Sequence, residues 1–157
     1  MIKRPFLRSS ILTVTAVYSL SACAALNEDA SNTLPVSEIY TSALCNISEQ
    51  GITEVKDKTS LEEILTKANS HRLNSKPEDL SSIDFNASNI YLIAMGIRPN
   101  AGYSLKFIGP DASLNKDKLT LPISVELPSE NAMYAQMMAS PCTLVSVPKG
   151  AYDTIEV

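Results

Sequence analysis

This sequence predicts a mainly β domain of the α+β class, an antiparallel β-sandwich or partly open barrel with one short helix packed on it. Three observations carry that expectation. Short apolar or alternating runs recur between turn-forming clusters, which is how strands read. Residues 90–97 (IYLIAMGI) are apolar almost without a break, as a central strand covered on both faces must be. Only one stretch keeps a helical period: Leu61, Ile64, Leu65 and Ala68 fall at i, i+3, i+4 and i+7.

The elements follow in chain order. Residues 37–47 and 52–56 read as two strands joined in a hairpin through Ser48-Glu49-Gln50-Gly51. A helix is expected from about Leu61 to Asn69, opened by a capping box of Ser60 and Glu63, with Glu62, Glu63 and Lys67 on a solvated face. Residues 74–82, with Pro77 among Ser and Asp, form a connecting loop. The strands at 90–97 and 103–108 are expected to pair as a hairpin around Arg98-Pro99-Asn100-Ala101, because Pro99 has no N–H for a central ladder. Asn115-Lys116-Asp117-Lys118 makes the turn into a strand at 119–127, where Pro122 marks an edge or bulge. Residues 133–139 and 142–147 read as two more strands broken at Ser140-Pro141, and 152–157 as the last.

The N-terminus reads as an export signal. Lys3, Arg4 and Arg8 precede an uncharged apolar run at 11–20, about half the roughly 20 residues a membrane-spanning helix needs. Leu20-Ser21-Ala22-Cys23 then resembles the lipobox of bacterial lipoproteins, which implies removal of residues 1–22 and lipidation, palmitate included, of Cys23. Residues 23–36 are expected to be the lipidated cysteine and a flexible tether, small and polar over 24–35, and residues 37–157 a single domain. Ala24 rather than Asp after the cysteine favours the outer membrane by the enteric-type sorting rule. The expected location is therefore the bacterial cell envelope, held through the N-terminal lipid.

Three of the 13 Lys and Arg residues lie in the signal, so the net charge of −4 falls to about −7 on its removal. That balance argues against nucleic acid as a partner. With Cys23 assigned to lipid, Cys45 and Cys142 remain as an even pair in an oxidising compartment, so a structural disulfide is expected, two unpaired thiols being the alternative. A thiol nucleophile would need a base, and the single histidine, His71, stands in a polar stretch with no protease signature around either cysteine. No phosphate loop, dinucleotide fingerprint, HExxH or CxxC occurs, so no cofactor, metal site or catalytic residue is expected, and the class expected is not an enzyme. Met133, Met137 and Met138 read as a mixture of core and exposed side chains that could form an adaptable partner surface.

Ile83-Asp84-Phe85, an apolar strand ending at Gly96, Arg98-Pro99-Asn100-Ala101-Gly102-Tyr103-Ser104, then Gln136, Ser140-Pro141 and Val147-Pro148-Lys149 stand in an order that resembles the C-terminal domain of the PrcB family of protease-complex subunits. The likeness runs from about Ser60 to Lys149. Asn100-Ala101 replaces the family's usual Thr-Gly, Cys142 stands where an aromatic is usual, and the helix lacks tryptophan. The resemblance implies a non-catalytic protein that binds or stabilises an envelope partner, a protease being the partner class. Arg98, Pro99, Asn100 and Tyr103, expected as an exposed hairpin tip, are the candidate partner-binding residues. The same turn faintly resembles a loop of chagasin-type cysteine protease inhibitors, which gives a second reading, and a small-ligand or glycan-binding envelope module is a third.

Replacing the lipidated thiol tests the anchor. Cys23→Ser is expected to leave the protein unprocessed or free of membranes, read by fractionation of cells. Globomycin, which blocks lipoprotein signal processing, should arrest the natural chain, and normal cleavage to a soluble product in the drug would refute the anchor.

Overall fold

The computed structural model describes residues 32–70, 80 and 83–157. Cys23, His71 and most of the 74–82 loop therefore lie outside the described residues, as do the signal and the start of the tether.

Two strands organise everything else. β4 (Ser88–Met95) and β9 (Cys142–Pro148) pair antiparallel from Ser88 opposite Pro148 to Ala94 opposite Cys142. Both are buried on both faces, which is why neither sequence alternates between apolar and polar. Ile90, Leu92, Ala94, Cys142 and Leu144 face one core, while Tyr91, Ile93, Met95, Val145 and Val147 face another. A pair buried on both sides must be central, so their neighbours take the edges. β2 (Ser37–Ser42) lies outside β9 and β3 (Gln50–Val55) outside β4, giving the order β2-β9-β4-β3.

The first core is closed by the helix α1 (Lys58–Asn69), which buries Leu61, Leu65 and Ala68 against the sheet, with Ile64 and Phe85 packed beside them. The apolar face is as the sequence period predicts. The helix starts earlier than expected, because Asp57 is the N-cap: its Oδ1 accepts a hydrogen bond from the Ser60 N–H at 2.8 Å. Ser60 is thus the third helical residue rather than the cap. A carboxylate acceptor one turn upstream satisfies the free N–H groups and displaces the expected box.

The second core lies between the central sheet and further strands. β1 (Asn32–Pro35), β6 (Asp111–Asn115), β7 (Lys118–Thr120) and β10 (Thr154–Glu156) form a sheet in that spatial order, and β5 (Ser104–Phe107) pairs with β8 (Ile123–Glu126). Val36, Leu105, Ala112, Leu119, Leu121, Ile123 and Tyr152 bring their side chains into this layer. The result is a β-sandwich with one helix on its outer face, not a closed barrel. Burial, reinforced by the neighbouring Tyr152, pushes the Tyr91 phenol well above its ordinary value, so it stays a neutral phenol in the core.

Several expected connections differ. Residues 37–47 and 52–56 do not form a hairpin; β2 and β3 occupy opposite edges, because the doubly buried pair separates them. β4 and β5 do not form one either, since β5 pairs with β8 in another layer. The strand expected at 119–127 is broken into β7 and β8. Leu121 and Pro122 turn the chain between sheets, and Pro122, with no N–H to offer, accepts from the Ile108 N–H at 2.8 Å through its carbonyl. Residues 133–139 are not a strand; only Ala139 makes a bridge, to Arg98. The tether expected to reach residue 36 ends sooner: Asn32–Pro35 is β1, paired with β6, and Val36 is buried. β10 lies parallel to β7, whereas the other pairs of named strands are antiparallel. The turn into β7 is as expected, a two-residue hairpin with Lys116 at φ 59°.

Cys45 and Cys142 are joined in a disulfide, with Cα atoms 5.9 Å apart, both wholly buried in the helix-side core. Cys142 opens β9, whereas Cys45 lies in the loop after β2 rather than in a strand. The buried Ser140 reinforces the same junction: its Oγ accepts from the N–H groups of Cys45 at 3.0 Å and Asn46 at 2.8 Å, and its own N–H donates to the Ala43 carbonyl. Asn46, at φ 56°, carries the link onward by donating from Nδ2 to the Lys67 carbonyl at the end of the helix.

Three outcomes follow for solution stability. Leu144→Ala, emptying a fully buried site between the central sheet and the helix, is expected to cost about 2–5 kcal/mol in a denaturant titration. Removing both Cys45 and Cys142 opens a closure of 97 residues and is expected to cost up to about 4–5 kcal/mol in the chain-entropy picture, read the same way. Carboxylates set the pH response. The Ser60 N–H holds Asp57 below the usual carboxylate range, Lys106 and Ser104 do so for Glu126, and Lys118 and Thr120 for Glu156. Their folded pKa values are lowered, so the stabilisation is present at neutral pH and lost as pH falls through those values. The melting temperature should hold near neutrality and drop below about pH 4.

Candidate partner-binding site

The candidate residues lie where the chain leaves the central sheet. Gly96 follows β4 at φ +72°, and a Cβ there would stand 2.8 Å from the Ser48 carbonyl oxygen, so both the backbone angle and the close approach require glycine. Residues 97–103 then cross to β5, with the connection from β8 back to β9 running beside them. Arg98 and Ala139 exchange both backbone hydrogen bonds, at 2.7 and 2.9 Å, and the Ala101 N–H donates to the Ala135 carbonyl. Asn100 Oδ1 accepts from the Gly102 N–H at 2.9 Å, a local turn that shapes the tip. Gly102 packs so closely that a Cβ would come within 2.7 Å of Pro128 and 2.9 Å of the Tyr134 ring. Tyr134 in turn accepts from the Ser129 N–H through its hydroxyl.

Two crossing connections, each irregular alone, thus brace one another. Arg98, expected to project freely, is half-buried. Its Nη2 donates to Gln50 Oε1 on β3, and its guanidinium carbon stands 5.5 Å from the centroid of the Tyr103 ring. Tyr103 is half-buried against the second core, while Pro99 is exposed. The tip is therefore a supported crossover, because β4 and β5 belong to different layers and the cation finds an aromatic face beside it. Arg98 Nε is buried without a hydrogen-bond partner, and no carboxylate forms an ion pair with this guanidinium among the described residues.

The remaining candidates separate from this place. The cysteines are structural. Asp84 braces the turn before β4, accepting from the Asn86 N–H through Oδ1 at 2.8 Å and from Ala87 and Ser88 through its carbonyl. Met133, Met137 and Met138 are all exposed, with Met133 fully so and Ile97 half-exposed, rather than divided between core and surface. Glu62, Glu63 and Lys67 line a shallow, open depression on the helix with Thr59 and Thr66, the solvated face expected of them. Sequence reasoning missed Gln50, which it placed in a turn, and Ala139; nothing local marks either as a neighbour of Arg98. Among the described residues no group of three His, Cys, Asp or Glu side chains could hold a metal ion, and no helix is long and apolar enough to cross a membrane.

Together these features define a helix-backed β-sandwich domain whose two crossing loops present a supported cation beside exposed methionines. Residues 90–148 match the family model described as PrcB C-terminal, which supports the likeness to the PrcB family. The matched segment runs from the buried start of β4 to the end of β9 and takes in both crossing loops, but is narrower than the likeness read from about Ser60. No curated protein and no solved structure matches the chain.

The packing sets what substitutions here will do. Gly102→Ala is expected to destabilise the domain by about 1–3 kcal/mol through overpacking against Pro128 and Tyr134, measured by denaturant titration. The combined change of Arg98 and Asn100 to Ala removes the Gln50 bond, the Tyr103 contact and the turn bond to Gly102. A lower melting temperature is therefore expected, in place of the near-neutral effect of exposed tip residues.

Proposed function

We propose that the chain is a lipid-anchored envelope protein whose β-domain binds or stabilises another protein without performing catalysis, and that the partner belongs to a protease complex. The observation that carries the reading is the PrcB C-terminal match over 90–148, whose family associates with a protease-complex subunit. The contact surface in this reading is the loop pair of residues 96–103 and 127–139. It supplies the half-buried Arg98, exposed Pro99 and the exposed Met133, Met137 and Met138, flexible thioether side chains that adapt to an apolar partner. The lipobox at Cys23 supports the anchor, and Ala24 the outer membrane. The inhibitor reading is not favoured, because the turn at Arg98 is a crossover between sheets rather than a hairpin loop.

Affinity capture of the tagged, membrane-tethered protein after crosslinking in the envelope tests the proposal. One partner should be enriched by the natural chain and reduced by Met137→Ser with Met138→Ser, exposed positions whose replacement leaves the core intact. A monomeric protein with no enriched partner would remove the reading.

A further inference from the structure

β3 has one sheet neighbour, β4, and among the described residues its other edge is unpaired. Gln50, Gly51, Thr53 and Glu54 along it are exposed, and nothing stands within 4 Å of where a Gly51 Cβ would lie. An open edge offers a row of backbone donors and acceptors that an incoming extended chain can complete. Arg98 reaches the Gln50 end of this edge through Nη2, with Nε buried and unpaired and, among the described residues, no carboxylate in an ion pair with it, in a chain that is acidic overall. An unsatisfied buried guanidinium donor is costly, and carboxylate is the group whose geometry the guanidinium fits.

We propose that the β3 edge takes up the extended C-terminal segment of a partner protein as an added antiparallel strand, with the partner's terminal carboxylate paired to Arg98. Direction follows from position. β3 runs from Gln50 to Val55, so an antiparallel strand ends beside Gln50, where Arg98 waits. The edge stops there too, since Ser48 and Glu49 turn back against Gly96. Charge sets the rest of the segment. Glu54 lies on the edge and Glu49 just before it, so acidic side chains are disfavoured along the added strand, and Arg98 is the cation at the Gln50 end that favours a terminal carboxylate. This inference rests on the partner-binding reading above and names the chemistry of the partner.

The test uses the full-length protein in detergent solution and a fluorescent heptapeptide of alternating threonine and valine, offered with a free C-terminal carboxylate or as the amide. Fluorescence anisotropy should show the acid binding about tenfold or more tighter than the amide, in keeping with a charge-assisted pair. Arg98→Gln should erase that preference and Arg98→Lys retain part of it, while hydrogen exchange slows at the amides of β3 when the acid is bound. Equal affinity for acid and amide, uptake of neither, or a preference that survives Arg98→Gln overturns the inference. Partner capture that depends on Met137 and Met138 while acid and amide bind alike would leave the docking reading standing and remove this one. Capture insensitive to those methionines, with the acid still preferred, would do the reverse.

Discussion

The ladder between β4 and β9 is the constraint on which the other elements depend. Because both strands are apolar on both faces, the chain has to supply two covers, one for Ile90, Leu92 and Leu144 and one for Tyr91, Ile93, Val145 and Val147. The helix α1 makes only the first. The second is assembled from short strands, none longer than five residues, which explains why they divide into a four-stranded sheet and a two-stranded ribbon instead of one continuous layer. Changing sheets takes sharp breaks, and Leu121-Pro122 is one.

The same ladder explains where the covalent link lies. Met95 and Cys142 mark the end of the pair from which both long connections leave, and the polypeptide there has lost its strand partners. The disulfide from Cys45, the Ser140 hydroxyl and the Met95 N–H bond to the Pro141 carbonyl at 2.9 Å replace them. A buried polar hub of this kind is acceptable because its bonds are made within the protein. The crossing loops spring from this anchored junction, so a surface built on irregular backbone can still hold one geometry, the condition for recognising a partner without a large ordering cost.

The family match coincides with that architecture. It opens and closes at one end of the central pair and spans the crossing loops, leaving β1, β2, β3, α1 and β10 outside. The strands outside the match are the edges of the two larger sheets, where new pairing partners can be accepted or refused. Arg98 joins the two regions: its backbone belongs to the matched loops, and its side chain reaches Gln50 on the unmatched β3.

Much of the fold was legible in the sequence because burial leaves a local imprint. The unbroken apolar run at 90–97 marked a central strand, the i, i+3, i+4, i+7 set marked the helix face, and an even pair of cysteines after Cys23 pointed to the bridge between Cys45 and Cys142. Pairing was not legible. Strand periodicity says which side chains are covered but carries no information on which strand supplies the hydrogen bonds, so neighbours in sequence were read as hairpins where the structure separates them. β6 was missed because its five residues show only Ala112 buried, too weak a pattern to read. The site divided in the same way. Arg98, Pro99, Asn100 and Tyr103 were visible as a Pro-stiffened turn beside an aromatic. That Arg98 would be half-buried, bound to Gln50 and, among the described residues, without a carboxylate depended on bringing residues 48 positions apart together, which the pairing of β3 with β4 decides by setting Gln50 opposite Met95.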